Sequence, residues 1–350
     1  MFLALGITRQ DPSRARICWL AILPTGWMVP VPSIRNRSSR SDITSKGYTK
    51  KPNTRDFYAD LCETRGMLTV LECREQLLGA GYFADDRTSL AVSLALELER
   101  PVLIEGPAGV GKTDLARATA EALGRKMVRL QCYEGLDDAK ALYEWNYTKQ
   151  LLFAQVSAQA GSTAPAADLF SEAFLIPRPL LSVLVSEEPC VLLLDEVDRA
   201  DPEFEALLLE ILSEFQITIP EIGTFRAKHK PLVFLTTNGT RDLTDALRRR
   251  CLYLPLDYPT PARELEIVRA KLPTLHATLG QSLVDFMERV RSLELRQRPS
   301  IAETIDWAKA LLLLNKNALD APLVRATLGV ILKHSDDIDR VDSKIDAILK

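Results

Sequence analysis

Gly106-Pro107-Ala108-Gly109-Val110-Gly111-Lys112-Thr113 is the stretch on which the reading of this chain turns. It satisfies the pattern G-x-x-x-x-G-K-[ST], in which backbone N–H groups turn inward around a phosphate. Gly106, Gly109 and Gly111 keep Cβ atoms out of that cradle. Lys112 is suited to reach the β- and γ-phosphates of ATP and the Thr113 hydroxyl to ligate Mg²⁺. The helix that opens at Asp114 would aim its positive end at the same charge. The flanks agree. Pro101-Val102-Leu103-Ile104-Glu105 reads as a buried strand, and residues 114–124 as an Ala-rich helix closed by Gly124. A Gly-rich surface turn would need neither.

A second stretch, Val191-Leu192-Leu193-Leu194-Asp195-Glu196-Val197-Asp198-Arg199-Ala200, places two acids where an apolar strand ends. Ligands of open parallel sheets bind at that end of the strands. Asp195 is suited to hold Mg²⁺ and Glu196 to polarise the water that attacks the γ-phosphate. Alone, the pair would read as a solvated turn; beside a phosphate loop it reads as a metal carboxylate with a catalytic neighbour. A third buried-strand pattern, Pro231 to Thr237, ends in Asn238, which is placed to hydrogen-bond the attacking water or the γ-phosphate. Soon after come Arg248, Arg249 and Arg250. They read either as a solvated helix end or as a cationic fork reaching a neighbouring subunit's site, as arginine fingers do.

With these motifs in place, the chain resembles the MoxR family of AAA+ ATPases. It is nearest to the branch associated with maturation of molybdenum-containing carbon monoxide dehydrogenase-type enzymes. The resemblance runs from about Met67 to the C-terminus. It implies Walker A at residues 106–113, Walker B at Asp195 and Glu196, sensor 1 at Asn238, and an arginine finger at Arg250 with Arg249 second. It further implies a hairpin over residues 216–225, an insertion over about 133–175 directed at a ring pore or a partner, and a hexameric ring. A protein client and a von Willebrand factor A-domain partner are also implied. One feature departs from the family pattern: where a Ser-Pro-Arg-like sequence often supplies a sensor-2 arginine, the chain reads Arg296-Gln297-Arg298-Pro299-Ser300. Arg298 is the candidate for that contact.

Composition bounds the remaining choices. At 350 residues, 47% hydrophobic and 26% charged, the chain is long enough for a full core and two domains. Its net charge of −3 shows no broad basic face for nucleic acid. The six cysteines form no C-x-x-C pair and the three histidines no ligand spacing, so reduced thiols and no structural zinc are expected. Residues 1–66 stand apart, with eleven Lys/Arg against five Asp/Glu. The 18 uncharged residues between Arg16 and Arg35 are interrupted by Pro24, Pro30 and Pro32, which argues against a membrane span. This leader is read as a disordered basic tail or a mis-assigned start, with Met67 as the alternative initiator.

The expected architecture is therefore α/β: a P-loop NTPase parallel sheet with helices on both faces over residues 67–256, then an all-α lid over 257–350. Lid helices are expected at about 262–271, 280–293, 300–314, 321–334 and 336–349. The expected activity is Mg²⁺-dependent ATP hydrolysis in the cytoplasm that does work on a protein client. Two rivals use the same residues. A nucleic-acid motor or clamp-loader-like protein should add a basic pore, and a non-hydrolysing switch should lose Glu196, Asn238 or the arginines.

Overall fold

The computed structural model describes residues 20–22, 28–30, 68–159, 169–220 and 222–349. In the leader unit, residues 1–52, strands β1 (Leu20–Ile22) and β2 (Met28–Pro30) pair antiparallel. The remaining readings made on the leader, including Met67, lie outside the described residues. Among the described residues no helix is long and apolar enough to cross a membrane.

In the unit formed by residues 53–350, two helices, α1 (Val70–Gly79) and α2 (Asp86–Leu98), precede the first sheet strand. Each begins at a residue whose side chain accepts a backbone N–H of the first turn: Thr69 with Glu72 in a reciprocal capping box, and Asp85 with Thr88. The five-stranded sheet is made of β3 (Val102–Glu105), β4 (Lys126–Gln131), β7 (Cys190–Asp195), β10 (Leu232–Thr237) and β11 (Leu252–Pro255). Its order is β11-β3-β10-β7-β4, and every pairing is parallel.

Parallel strands covered on both faces read as unbroken apolar runs. All six residues of β7 and all six of β10 are buried. Their side chains alternate between two cores, as a period of two requires. Leu192, Leu194, Val233 and Leu235 pack with α6 (Pro179–Leu184), α7 (Pro202–Glu214) and α8 (Asp245–Arg250). Val191, Leu193, Leu232 and Phe234 pack with α1, α2 and α3 (Lys112–Ala122) on the other face.

Between β4 and β7 the chain makes α4 (Asp138–Ala141), β5 (Tyr143–Trp145), α5 (Tyr147–Gln159) and β6 (Leu175–Pro177), with β5 and β6 paired antiparallel. This is the segment expected as an insertion. Strands β8 (Gln216–Ile219) and β9 (Gly223–Arg226) form the expected hairpin.

After β11 the structure is helical: α9 (Pro261–Lys271), α10 (Ala277–Arg291), α11 (Ile301–Leu313), α12 (Ala321–Ile331), α13 (Ser335–Asp342) and α14 (Ile345–Ile348). Their core gathers Phe286, Trp307, Leu311, Val324 and Val341. Leu311 is fully buried there, whereas Leu313 and Leu314 are exposed. The single helix expected over 336–349 is two, because the chain turns at Ser343 and Lys344 before Ile345 re-enters the core.

Candidate functional site

Three strands bring their C-terminal ends together. The loop from Gly106 to Gly111 follows β3 and opens α3, Asp195 ends β7, and Asn238 follows β10. The loop needs its glycines for reasons visible in the geometry. A Cβ at Gly106 would lie 2.0 Å from the Leu256 carbonyl oxygen, and one at Gly109 2.1 Å from Ser300 Oγ. Gly109 and Gly111 also have φ of +76° and +96°, a region L side chains rarely adopt.

Lys112 is buried, and its ammonium donates to Gly106 O at 2.6 Å, Pro107 O at 2.8 Å and Asn238 Oδ1 at 2.7 Å. Burial lowers its pKa, and the nearby charges of Asp198, Asp195 and Glu196 oppose that shift. The bond to Asn238 joins two residues singled out 126 positions apart. Thr113 Oγ1 lies 3.1 and 3.2 Å from the two oxygens of Asp195. A hydroxyl beside a carboxylate is a hard-oxygen donor set that fits Mg²⁺. Among the described residues no group of three or more His, Cys, Asp or Glu could hold a metal. A Mg²⁺ held by Thr113 and Asp195 would thus share its coordination with nucleotide phosphates and water, as is usual for this ion.

Glu196 turns the chain at the tip of β7 with φ +56°, and its N–H donates to Thr236 Oγ1 at 2.9 Å. A non-glycine residue in the left-handed region is costly unless its surroundings fix it, and such residues concentrate at functional sites. Here Thr236 fixes both acids, since its hydroxyl also donates to Asp195 Oδ1 at 2.5 Å. The Glu196 carboxylate stays partly open to solvent. It accepts from Gln131 Nε2 at 3.0 Å, pairs with Arg199 at 3.0 Å, and lies 3.4 Å from Asn238 Nδ2.

Asp198 is buried beneath this cluster. Burial raises its pKa, but hydrogen bonds from Thr240 and from the Asn238 backbone outweigh that and leave it lowered. Asp198 Oδ2 accepts from Asn238 N at 3.2 Å, Thr240 N at 3.0 Å and Thr240 Oγ1 at 2.6 Å. The carboxylate therefore holds the loop that presents Asn238.

Beside the loop, between α1, α2 and helices α9 and α11, is a cavity of about 570 Å³ lined by Tyr82, Val110, Leu256, Ile267 and Ile301 among others. Apolar walls with a few polar groups, adjoining a phosphate cradle, suit a nucleobase and ribose. Asp114 lines it as well, and its carboxylate pairs with Arg117.

Residues 101–251 match the family profile described as the AAA domain (dynein-related subfamily). The fold is that of an AAA+ P-loop NTPase. An uncharacterized protein of Staphylococcus saprophyticus subsp. saprophyticus is 24% identical over 248 residues, covering 69% of this chain and 87% of that one. Chaperone protein ClpB 2 of Thermosynechococcus vestitus is 30% identical over 149 residues, which are 42% of this chain and 15% of that one. Among solved structures, RuvB of Thermotoga maritima aligns at 22% identity and a TM-score of 0.43, covering 70% of this chain and 68% of that chain.

Within this site the structure brings together Gly106 to Asp114, Asp195, Glu196 and Asn238. It does not bring in the arginines. Arg248 pairs with Glu105 at 3.2 Å, while Arg249 and Arg250 are exposed at the end of α8. Their carbonyls are tied by the Arg100 guanidinium just before β3, at the sheet's N-terminal side. Among the described residues no hydrogen bond or ion pair joins the guanidinium of Arg249 or Arg250 to the phosphate loop. Arg298 is exposed before α11; its carbonyl lies 3.4 Å from the Tyr258 hydroxyl. Among the described residues no hydrogen bond or ion pair joins its guanidinium to the loop. The C-terminal helices instead meet the loop through Ser300, the N-cap of α11.

Four polar participants lie outside the sequence motifs: Arg129, Gln131, Thr236 and, in its holding role, Asp198. The first two sit on β4, whose alternating Val128-Arg129-Leu130-Gln131 pattern marks a half-exposed strand, while its place beside the acids comes from the strand order.

Proposed function

We propose that the chain hydrolyses ATP with Mg²⁺ and uses the cycle to remodel or mature a protein client, as a MoxR-type AAA+ protein acting in a ring. The observation that carries the catalytic part is the convergence of Lys112, Thr113, Asp195, Glu196 and Asn238 at three strand tips. In this reading Lys112 and the loop amides bind phosphate, Thr113 and Asp195 hold Mg²⁺, Glu196 takes a proton from the attacking water, and Asn238 orients that water. Bound Mg²⁺ would offset the charge of the phosphates. The exposed position of Arg249 and Arg250, away from their own chain's loop, supports a finger that acts on a neighbouring copy, with Arg250 first. A hexameric ring, a cytoplasmic location and a von Willebrand factor A-domain partner rest on the MoxR resemblance, which the hairpin β8–β9 and the insertion α4–β6 support.

Phosphate release by the purified protein tests the reading. It should require Mg²⁺ and ATP and be indifferent to duplex DNA. Severalfold stimulation by DNA would favour the nucleic-acid motor. Arg250→Ala should preserve assembly, measured by light scattering, while lowering turnover by about 10³-fold or more; unchanged turnover would move the finger to Arg249 or Arg248. A Glu196→Gln trap, pulled down with its bound proteins, is the route to the client.

A further inference from the structure

The Asp195 carboxylate is already fully engaged. Oδ1 accepts from Thr236 at 2.5 Å, and Thr113 Oγ1 lies within 3.2 Å of both oxygens. Oδ2 accepts from the Arg129 guanidinium twice, from Nη2 at 2.6 Å and Nε at 3.0 Å. A divalent cation served by this carboxylate must meet these donors. Thr236 is buried at the end of β10 and is also pinned by the Glu196 N–H. Thr113 can keep donating its proton while offering a lone pair to a metal. Arg129 is different. Its side chain is 51% exposed while that of Asp195 is 6% exposed, and of these three donors it is the charged one, which a cation at Asp195 would repel.

Arg129 also touches the catalytic end of the site. Nη2 donates to Gln131 Oε1 at 2.7 Å, and Gln131 Nε2 donates to Glu196 Oε2 at 3.0 Å. Residues 129 and 131 share one face of β4, so a single strand sets both contacts. The chain of bonds runs from the metal carboxylate through Arg129 and Gln131 to the residue that activates water.

We infer that Arg129 is a resident counter-ion of the metal site, held on Asp195 until a divalent cation replaces it. The guanidinium then swings toward solvent and lets go of the Gln131 amide, which loosens the hold on Glu196. Arg129 is thus a positioning residue that competes with the metal and ties metal occupancy to the state of the catalytic carboxylate. The inference rests on the nucleotide reading above.

The test is a Mg²⁺ titration of the full chain with a fluorescent, non-hydrolysable ATP analogue, read as the Mg²⁺ concentration at half-maximal binding. A partly exposed ion pair corresponds to a change of up to about fivefold. Arg129→Gln, which keeps a hydrogen-bonding side chain without the charge, should lower that midpoint by about three- to fivefold. Arg129→Lys, which keeps the charge, should stay near the unaltered protein. An unchanged or raised midpoint in Arg129→Gln would overturn the inference, provided the unaltered protein shows Mg²⁺-dependent binding. If the unaltered protein binds no nucleotide at any Mg²⁺ concentration, the nucleotide reading itself fails. Thermal melts of both variants separate a folding defect from a shift in competition, since a general loss of structure would lower the bound fraction at saturating Mg²⁺ for both.

Discussion

At the phosphate loop the buried Lys112 is held by partners that a ligand can replace, whereas among the C-terminal helices the buried Glu264 is held by partners that nothing replaces. Lys112 gives its protons to two loop carbonyls and an amide oxygen, all neutral acceptors that a phosphate would outcompete. Glu264, fully buried in α9, is instead gripped by Arg291 at 2.5 and 2.8 Å and by Thr304 at 2.5 Å. Arg291 then holds the Pro299 carbonyl at 2.7 Å, one residue before the Ser300 that meets Gly109. The same residue types thus serve two ends. Exchangeable partners make a site, and saturated partners make a rigid wall for that site to work against.

Three changes would break or sharpen this contrast. The largest expected effect is Glu264→Ala, which leaves the Arg291 guanidinium without its carboxylate and should cost about 3–5 kcal/mol in denaturant unfolding. A loss under about 1 kcal/mol would show that the lid pair is as replaceable as the strand-tip contacts. Next, Lys112→Ala should weaken nucleotide binding by about 10- to 100-fold and cost less stability than Glu264→Ala. An equal loss of stability would make Lys112 a structural cation.

The smallest effect concerns Asp337 of α13, whose carboxylate accepts from the N–H groups of Arg296 at 2.9 Å and Gln297 at 3.1 Å. Burial raises its pKa, but those two bonds, helped by His334 and Arg340, leave it lowered. A depressed carboxylate pKa contributes stability above its unfolded value of about 4, and that stability is lost as pH falls through the folded value. Melts between pH 6 and 2 should therefore show a steeper acid loss in the unaltered protein than in Asp337→Asn. Parallel curves would remove Asp337 from the account.

The two regions were also unequally legible in the sequence. The phosphate loop, the Asp195-Glu196 pair and Asn238 could be read because each follows a short, mostly apolar strand and its residue types admit few other uses at that spacing. Arg129 and Gln131 could not be assigned, because polar residues alternating on a strand look the same whether they face water or a carboxylate on the next strand. That Asp195 lies beside β4 follows from the strand order, which no local pattern encodes. The lid helices were readable from their period, but the Glu264–Arg291–Thr304 cluster joins three helices 13 to 40 residues apart and reads locally as surface charge. Where the long final helix was expected, Ser343 and Lys344 break it in two, a turn with neither Gly nor Pro to announce it.

The central claim, that the strand tips bind a nucleotide and Glu196 activates the water that cleaves it, is tested most directly by Glu196→Gln. Equilibrium binding of ATP with Mg²⁺ and single-turnover phosphate release should be measured on the same preparation. Binding should stay within about threefold, since the amide occupies the same space, while release should fall by about 10²- to 10⁴-fold as the general base is lost. Near-normal release with intact binding would contradict the account.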